Sequence, residues 1–305
     1  MSTATSAVFT DAVTLKPARP ERFDVAFTAV TQPCPWPKAY GGDLVAQAAV
    51  AAQRTVDDGK ALHSMHSYFM RPADIGAEVR YEVERLRDGR GYSTRQVRAF
   101  QRGKALYACL ASFTVGERGG ATGGEYAAAF PDDLPGPEAL PSAAEYLADR
   151  SGGSMTAESK AYWSGGRGFD LRHVPGPVYL TVEGARRPQQ AVWIRPFDAL
   201  REVAGLTSAQ RDTAALAYVC DYTILEPVLR VLGLPWARED LVTASLDHAM
   251  WFHRPGQVDG WLLYAQEAAA AGHGRGLATG RFFAADRTHL ATVVQEGMIR
   301  TGGPS

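Results

Sequence analysis

"LHSMHSYFMRP" occupies Leu62–Pro72, and "SLDHAMWFHRP" occupies Ser245–Pro255. Phe69, Arg71 and Pro72 match Phe252, Arg254 and Pro255 at one offset (252 − 69 = 183), and the aromatic residues Tyr68 and Trp251 keep it. Farther along, Gly89-Arg90-Gly91 recurs as Gly274-Arg275-Gly276. A repeat dictates the architecture and is therefore read before any local motif. This period is too long for a solenoid unit and matches a duplicated domain.

The flanking segments repeat the same order. Phe23–Val30 alternates apolar and polar residues and reads as a strand. After a loop with three prolines, "TQPCPWPK", the run Gly41–Val56 has the Ala, Val, Leu and Gln content of an apolar, buried helix. Leu62–Arg71, Ala77–Leu86, Tyr92–Gln101 and Ala105–Val115 read as strands separated by turn signals. In the second half, Ala191–Phe197 reads as a strand and Thr207–Val219 as a helix. Asp221–Gly233 reads as a second helical segment stopped by Gly233 and Pro235. Val242–Arg254, Trp261–Ala270, Gly276–Ala285 and His289–Arg300 read as four more strands. An antiparallel sheet with one apolar helix covers that helix best by curling around it. The pattern predicts a duplicated α+β fold. Residues 1–20 read as a loose arm, and the Gly-, Pro- and acid-rich run 116–141 reads as a linker.

Composition narrows the function classes. A chain of 305 residues can bury roughly 75% of its extended surface without disulfide staples. A net charge of −1 offers no surface for nucleic acid or an anionic membrane. Cys34, Cys109 and Cys220 are too few and too scattered for a disulfide framework or a zinc site. The N-terminal residues show no basic-then-apolar leader, no run is long and apolar enough to span a membrane, and "TGGPS" is not a peroxisomal address. The expected location is a reducing cytoplasm. His63 and His66 fall on opposite faces of a predicted strand, His248 and His253 do likewise, and no metal site is expected. "GHGRG" lies between strands and opens no helix, so it reads as a turn, and no GxSxG elbow is present.

The segments "YGGDLVAQA", "LHSMHSYFMRPAD", "RLRDGRGYSTRQV", "AYVCDYTILEPVL", "SLDHAMWFHRP" and "VVQEGMIR", in this order, resemble the type II acyl-CoA thioesterases, a double-hotdog family. The resemblance spans most of residues 38–115 and 190–300. It implies a tandem double hotdog, with an N-terminal unit at 15–115, a connecting region at 116–188 and a C-terminal unit at 189–302. It further implies hydrolysis of acyl-CoA to a carboxylic acid and CoA, without a cofactor, by a soluble homo-oligomer. The family's Asp, Thr or Ser, and Gln fall on Asp221, Ser245 and Gln295, with Ser245 standing where Thr is more frequent. The first half has Asp43 where the family usually has Gln, which marks Asp43 as a possible second site.

Each residue taken singly has a plainer reading. Asp221 and Asp43 could be helix caps, Ser245 a satisfied strand hydroxyl, and Gln295 a surface strand residue. Asp221 is expected at a helix start, where unpaired N–H groups favour developing negative charge. Two rivals share the fold. One is a non-catalytic acyl-CoA binder. The other is an enoyl-CoA hydratase, whose chemistry pairs an Asp with a nearby His that neither Asp221 nor Asp43 has in sequence.

Overall fold

The computed structural model describes residues 5–57, 59–116, 125–148, 150 and 155–302. Its strands are β1 (Lys16–Ala18), β2 (Val25–Val30), β3 (Lys60–Phe69), β4 (Glu78–Asp88), β5 (Tyr92–Gln101), β6 (Lys104–Val115), β7 (Phe169–Val174), β8 (Gln189–Pro196), β9 (Val242–Ser245), β10 (Asp247–Phe252), β11 (Leu262–Gly272), β12 (Arg275–Phe283) and β13 (His289–Arg300). Its α-helices are α1 (Ala7–Ala12), α2 (Gly41–Gln53), α3 (Ala143–Ala148), α4 (Ala157–Ala161), α5 (Ser208–Val219) and α6 (Glu226–Leu232).

The strands join into one antiparallel sheet of order β1-β2-β4-β5-β6-β3-β10-β13-β12-β11-β8-β7, with β9 also on β13. The order is a palindrome of the duplication, with β3 and β10 at its centre. These are the two repeated phrases, and they pair with each other. Met65 lies opposite Met250 and Ser67 opposite His248. The offset exchanges those two pairs (65 + 183 = 248; 250 − 183 = 67), so a pseudo-two-fold axis passes between His66 and Ala249, which are also paired.

Each half of the sheet curls around helix. The α2 sequence is rich in strong helix formers and presents apolar residues on all sides. All of its residues from Gly42 to Gln53 are buried, against β2 to β6 and against α5. In the second half α6 packs on β11 and β12. Thr207 and Gln210 form a capping box at the start of α5, and Gly233 closes α6 in the left-handed conformation. The result is the tandem double hotdog, α+β.

Three segments depart from the sequence reading. The N-terminal arm is tied down. α1 buries Phe9 against Phe169 and Tyr218, Asp198 accepts from the Ser6 N–H, and Gln47 of α2 donates to the Ala12 carbonyl. The strand expected at Val242–Arg254 is broken at Leu246. There the Asp247 carboxylate, rather than a backbone carbonyl, accepts the Glu296 N–H. In the segment 116–188 the run from Ser142, which reads as a short helix in the sequence, forms α3, while α4 and β7 are additions, and β7 extends the sheet beside β8.

The two halves meet closely at α2. A Cβ on Gly42 would lie 2.3 Å from the Tyr218 carbonyl oxygen at the end of α5 and 2.3 Å from the Tyr40 ring. Backbone cannot yield there as a flexible side chain could. Gly42→Ala is expected to lower stability by about 1–3 kcal/mol, measured as a lower midpoint in denaturant at an unchanged far-ultraviolet spectrum.

Candidate active site

Asp221, Ser245 and Gln295 come together although they are far apart in the chain. Asp221 occupies a 3-10 turn, Cys220–Tyr222, directly after α5. Ser245 ends β9, and Gln295 lies on β13. The Ser245 hydroxyl donates to Asp221 Oδ1 at 3.1 Å, and the Gln295 amide donates to the same oxygen at 2.7 Å. The amide also donates to Ser245 Oγ at 3.0 Å. The break at Leu246 leaves Ser245 paired to Gly297 of β13, two residues from Gln295.

The helix start expected at Asp221 lies elsewhere. Asp221 lies in a single 3-10 turn that follows α5, and α6 begins several residues later. The helix start that abuts it is that of α2, in the other half of the chain. A Cβ on Gly41 would lie 2.6 Å from Asp221 Oδ2. Only glycine allows that approach. Two carboxylate oxygens thus have two roles: Oδ1 is held by side chains, and Oδ2 faces the first turn of α2. That turn has N–H groups without intrahelical acceptors and the positive end of a 13-residue helix.

Burial raises the Asp221 carboxyl above the ordinary carboxylate range. Hydrogen bonds from Gln295 and Ser245, the nearby Lys38 charge and the Gly42 N–H offset part of this. Lys38 is half-buried, and its ammonium donates to the Thr243 carbonyl at 2.6 Å on β9. Behind the turn, Tyr264 donates to the Cys220 carbonyl at 3.2 Å, and Cys220 Sγ lies 3.2 Å from His248 Nε2. Burial pushes His248 down to about 3, so it stays neutral.

Asp221 and Ser245 border a cavity of about 430 Å³, in the size range of small-molecule sites. Six aromatic residues line it, and they come from distant segments. Trp36 and Tyr40 precede α2, Tyr162 and Trp163 follow α4, and Trp236 follows α6. The rings interlock edge to face, Trp36 with Tyr162 at 5.5 Å and with Trp163 at 5.8 Å. Tyr40 stacks on Tyr222 at 4.5 Å. Trp251 and Phe252, the adjacent aromatic residues of the second repeated phrase, are not among the residues that border it. Trp251 sits edge-on to His66 on the paired strand. Among the described residues no histidine borders the cavity, so the Asp–His arrangement of a hydratase is not formed there. Sequence reading missed Lys38, Gly41 and the aromatic walls. The proline-rich loop running into Gly-Gly was the signal available for the first two.

Asp43 is the counterpart of Asp221 in α2, but its surroundings differ. Matching the ladders identifies the other counterparts. Leu62 lies opposite Phe113 as Ser245 lies opposite Gly297, and Ala111 lies opposite Arg95 as Gln295 lies opposite Ala278 (278 − 95 = 183). Leu62 and Ala111 therefore replace the hydroxyl and the amide. Asp43 is fully buried, with Oδ2 accepting the Gln32 N–H at 2.7 Å and Oδ1 without a partner. Desolvation pushes its carboxyl up to about 7, opposed by the Gln32 N–H and aided by the negative Asp221.

This arrangement has relatives. An acyl-CoA thioesterase N-terminal domain matches residues 28–116, and an acyl-CoA thioesterase C-terminal domain matches residues 133–299. Acyl-coenzyme A thioesterase 8 of Mus musculus is 35% identical over 86% of this chain and 80% of its own length. Acyl-CoA thioesterase 2 of Haemophilus influenzae is 30% identical over 91% and 93%. The crystal structure of an acyl-CoA thioesterase II from Mycobacterium marinum superposes with a TM-score of 0.73 at 31% identity, covering 97% of this chain and 99% of that one. The chain belongs to the acyl-CoA thioesterase family.

The Asp43 environment has a consequence for stability. Its folded-state value of about 7 exceeds the ordinary 3.8. The group therefore supports the fold below the ordinary value, and that support is lost as pH rises through about 7. Asp43→Asn is expected to melt higher than the unmodified protein at pH 8, by an amount equivalent to a few kcal/mol at most. The gap should close near pH 4, as followed by thermal melts across that range.

Proposed function

We propose that the chain hydrolyses acyl-CoA thioesters at Asp221, with a water molecule as nucleophile. The supporting observation is the Asp221 carboxylate held on Oδ1 by Ser245 and Gln295, with Oδ2 facing the first turn of α2, at the border of a cavity with aromatic residues in its wall. The aromatic walls suit an acyl chain. A thioester carbonyl seated against this turn would direct its oxygen toward the positive end of α2, where an oxyanion is stabilised. Asp221 takes a proton from the water as its oxygen bonds to the carbonyl carbon. Ser245, donor and acceptor at once, and the Gln295 amide fix the carboxylate and the water. The tetrahedral intermediate collapses, the carbon–sulfur bond breaks, and the proton passes to the departing thiolate. The products are a carboxylic acid and CoA.

The same reading assigns the chemistry to the second half, because Asp43 has Leu62 and Ala111 for neighbours in place of a hydroxyl and an amide. It needs no cofactor, and CoA enters with the substrate. We also propose a cytoplasmic homo-oligomer. No helix among the described residues is long and apolar enough to cross a membrane.

Free-thiol release from a panel of acyl-CoAs tests the assignment. Asp221→Asn is expected to lower kcat by roughly 10²–10⁴-fold without a matching loss of thermal stability, while Asp43→Asn keeps turnover. Because burial raises the Asp221 carboxyl, the acid limb of kcat/KM should fall above the ordinary carboxylate range. Full turnover by Asp221→Asn would overturn the mechanism, and loss confined to Asp43→Asn would move it to the first half.

A further inference from the structure

Behind the cavity lies a carboxylate that has no part in the hydrolysis assigned to Asp221. Glu226 opens α6, directly after Leu225 of the cavity wall, and is fully buried. Its Oε1 accepts the indole N–H of Trp236 at 3.0 Å, and Trp236 borders the cavity. Its Oε2 accepts the Gln190 amide at 3.1 Å and lies 3.0 Å from His173 Nε2. Gln190 also donates to Gln266 Oε1 at 2.7 Å. Gln266 donates in turn to the hydroxyl of Thr223 at 2.8 Å, two residues from Asp221. Arg230, one turn farther along α6 and also fully buried, donates to Gln190 Oε1 at 3.2 Å. A polar network thus runs from the turn of Asp221 to the indole of Trp236. Burial by itself would raise the Glu226 carboxyl, but His173, Trp236 and Gln190 hold it below its ordinary value.

The duplication supplies the control. In the first half α2 packs on β4 and β5, as α6 packs on β11 and β12. At the offset that relates Asp43 to Asp221 (221 − 43 = 178), Glu226 and Arg230 correspond to Ala48 and Ala52 (226 − 178 = 48; 230 − 178 = 52). Gln266 lies opposite Gly280 as Val83 lies opposite Val97 (280 − 97 = 183). Gln190 lies opposite Gln266 as Val25 lies opposite Val83. The first half therefore builds the same layer from Ala48, Ala52, Val25 and Val83, all apolar. A hotdog unit folds without this network. A buried carboxylate is costlier to desolvate than an apolar side chain of similar volume. The half that carries Asp221 bears that cost, and Trp236 is where the network meets the cavity.

We propose that Glu226 is a positioning residue for the hydrolysis: its carboxylate fixes the Trp236 ring in the cavity wall relative to Asp221, and so holds the surface against which the acyl group packs. The Trp236 backbone N–H donates to the Val178 carbonyl at 2.8 Å, which places the residue but not its ring. The indole N–H on Oε1 places the ring, through a hydrogen bond to a charged acceptor, the stronger kind. This assignment rests on Asp221 as the hydrolytic centre.

The kinetics of hexanoyl-CoA hydrolysis in three variants test it. Glu226→Leu removes the acceptor and makes the position apolar, as it is in the first half. Glu226→Gln keeps an acceptor for the indole. Trp236→Phe keeps an aromatic ring and removes the N–H. Glu226→Leu is expected to raise KM about tenfold, the range of a hydrogen bond to a charged group, with the effect carried in KM rather than in kcat. Trp236→Phe should raise KM to a similar extent, and Glu226→Gln should recover most of the loss. Because both changes remove one and the same bond, combining Glu226→Leu with Trp236→Phe should be no worse than either alone. An unchanged KM in Glu226→Leu, or losses that multiply in the double variant, would overturn the proposal and leave the network as core packing. Where Glu226→Leu does not fold, Trp236→Phe carries the test, and an unchanged KM there overturns the proposal equally. Calorimetric titration of Asp221→Asn with hexanoyl-CoA, with and without Trp236→Phe, separates this reading from the hydrolytic one. Weaker binding with Trp236→Phe supports the role of the indole even if the unmodified protein hydrolyses no thioester, and equal binding overturns it.

Discussion

The antiparallel joint between β3 and β10 governs the rest of the molecule. It merges two curled sheets into one and places the pseudo-two-fold axis at His66 and Ala249. Register in a sheet has a period of two, so a slip of one residue would turn every side chain to the other face. The joint therefore fixes where α2 of the first half meets Asp221 of the second. That approach is close enough to require glycine at both Gly41 and Gly42. The site belongs to neither half alone: the carboxylate comes from one and the helix end from the other.

Duplication produced two acidic positions but only one equipped site. At Asp221 a hydroxyl and an amide hold one oxygen and a lysine stands nearby, and together they offset part of the cost of burial. At Asp43 the corresponding side chains are aliphatic, and a single backbone N–H remains. Burial then pushes its carboxyl up to about 7. The same residue type at symmetric positions thus meets different partners, and only Asp221 has side-chain donors against the burial that raises both carboxyls.

The connecting region shows how composition can mislead. Its first stretch, with its glycines, prolines and acids, has few signals of regular structure. Yet the region carries Tyr162, Trp163 and Arg167 to the cavity, and β7 to the edge of the sheet. Its aromatic residues are visible in the sequence, but no periodicity relates them to Trp36 or Trp236, which approach from other segments. Conversely, Trp251 and Phe252 lie in the most conspicuous motif and have no part in the cavity wall. Trp251 lies in the joint opposite Ser64 and Phe252 pairs with Ala291 of β13, and their regular strand pattern is a packing signal.

The amino-acid sequence by itself determined the duplication, the helix and four strands of each half, and the three polar residues of the site. The first two are written in local periodicity and a repeat offset, and the polar residues were legible only through the family resemblance that their short motifs carry. Only the tertiary structure decided which helix end faces Asp221, why Asp43 lacks partners, and which aromatic residues and which arginine border the cavity. Those relations depend on sheet register and on contacts between residues more than a hundred positions apart. No one-dimensional pattern records them until the chain has closed on itself.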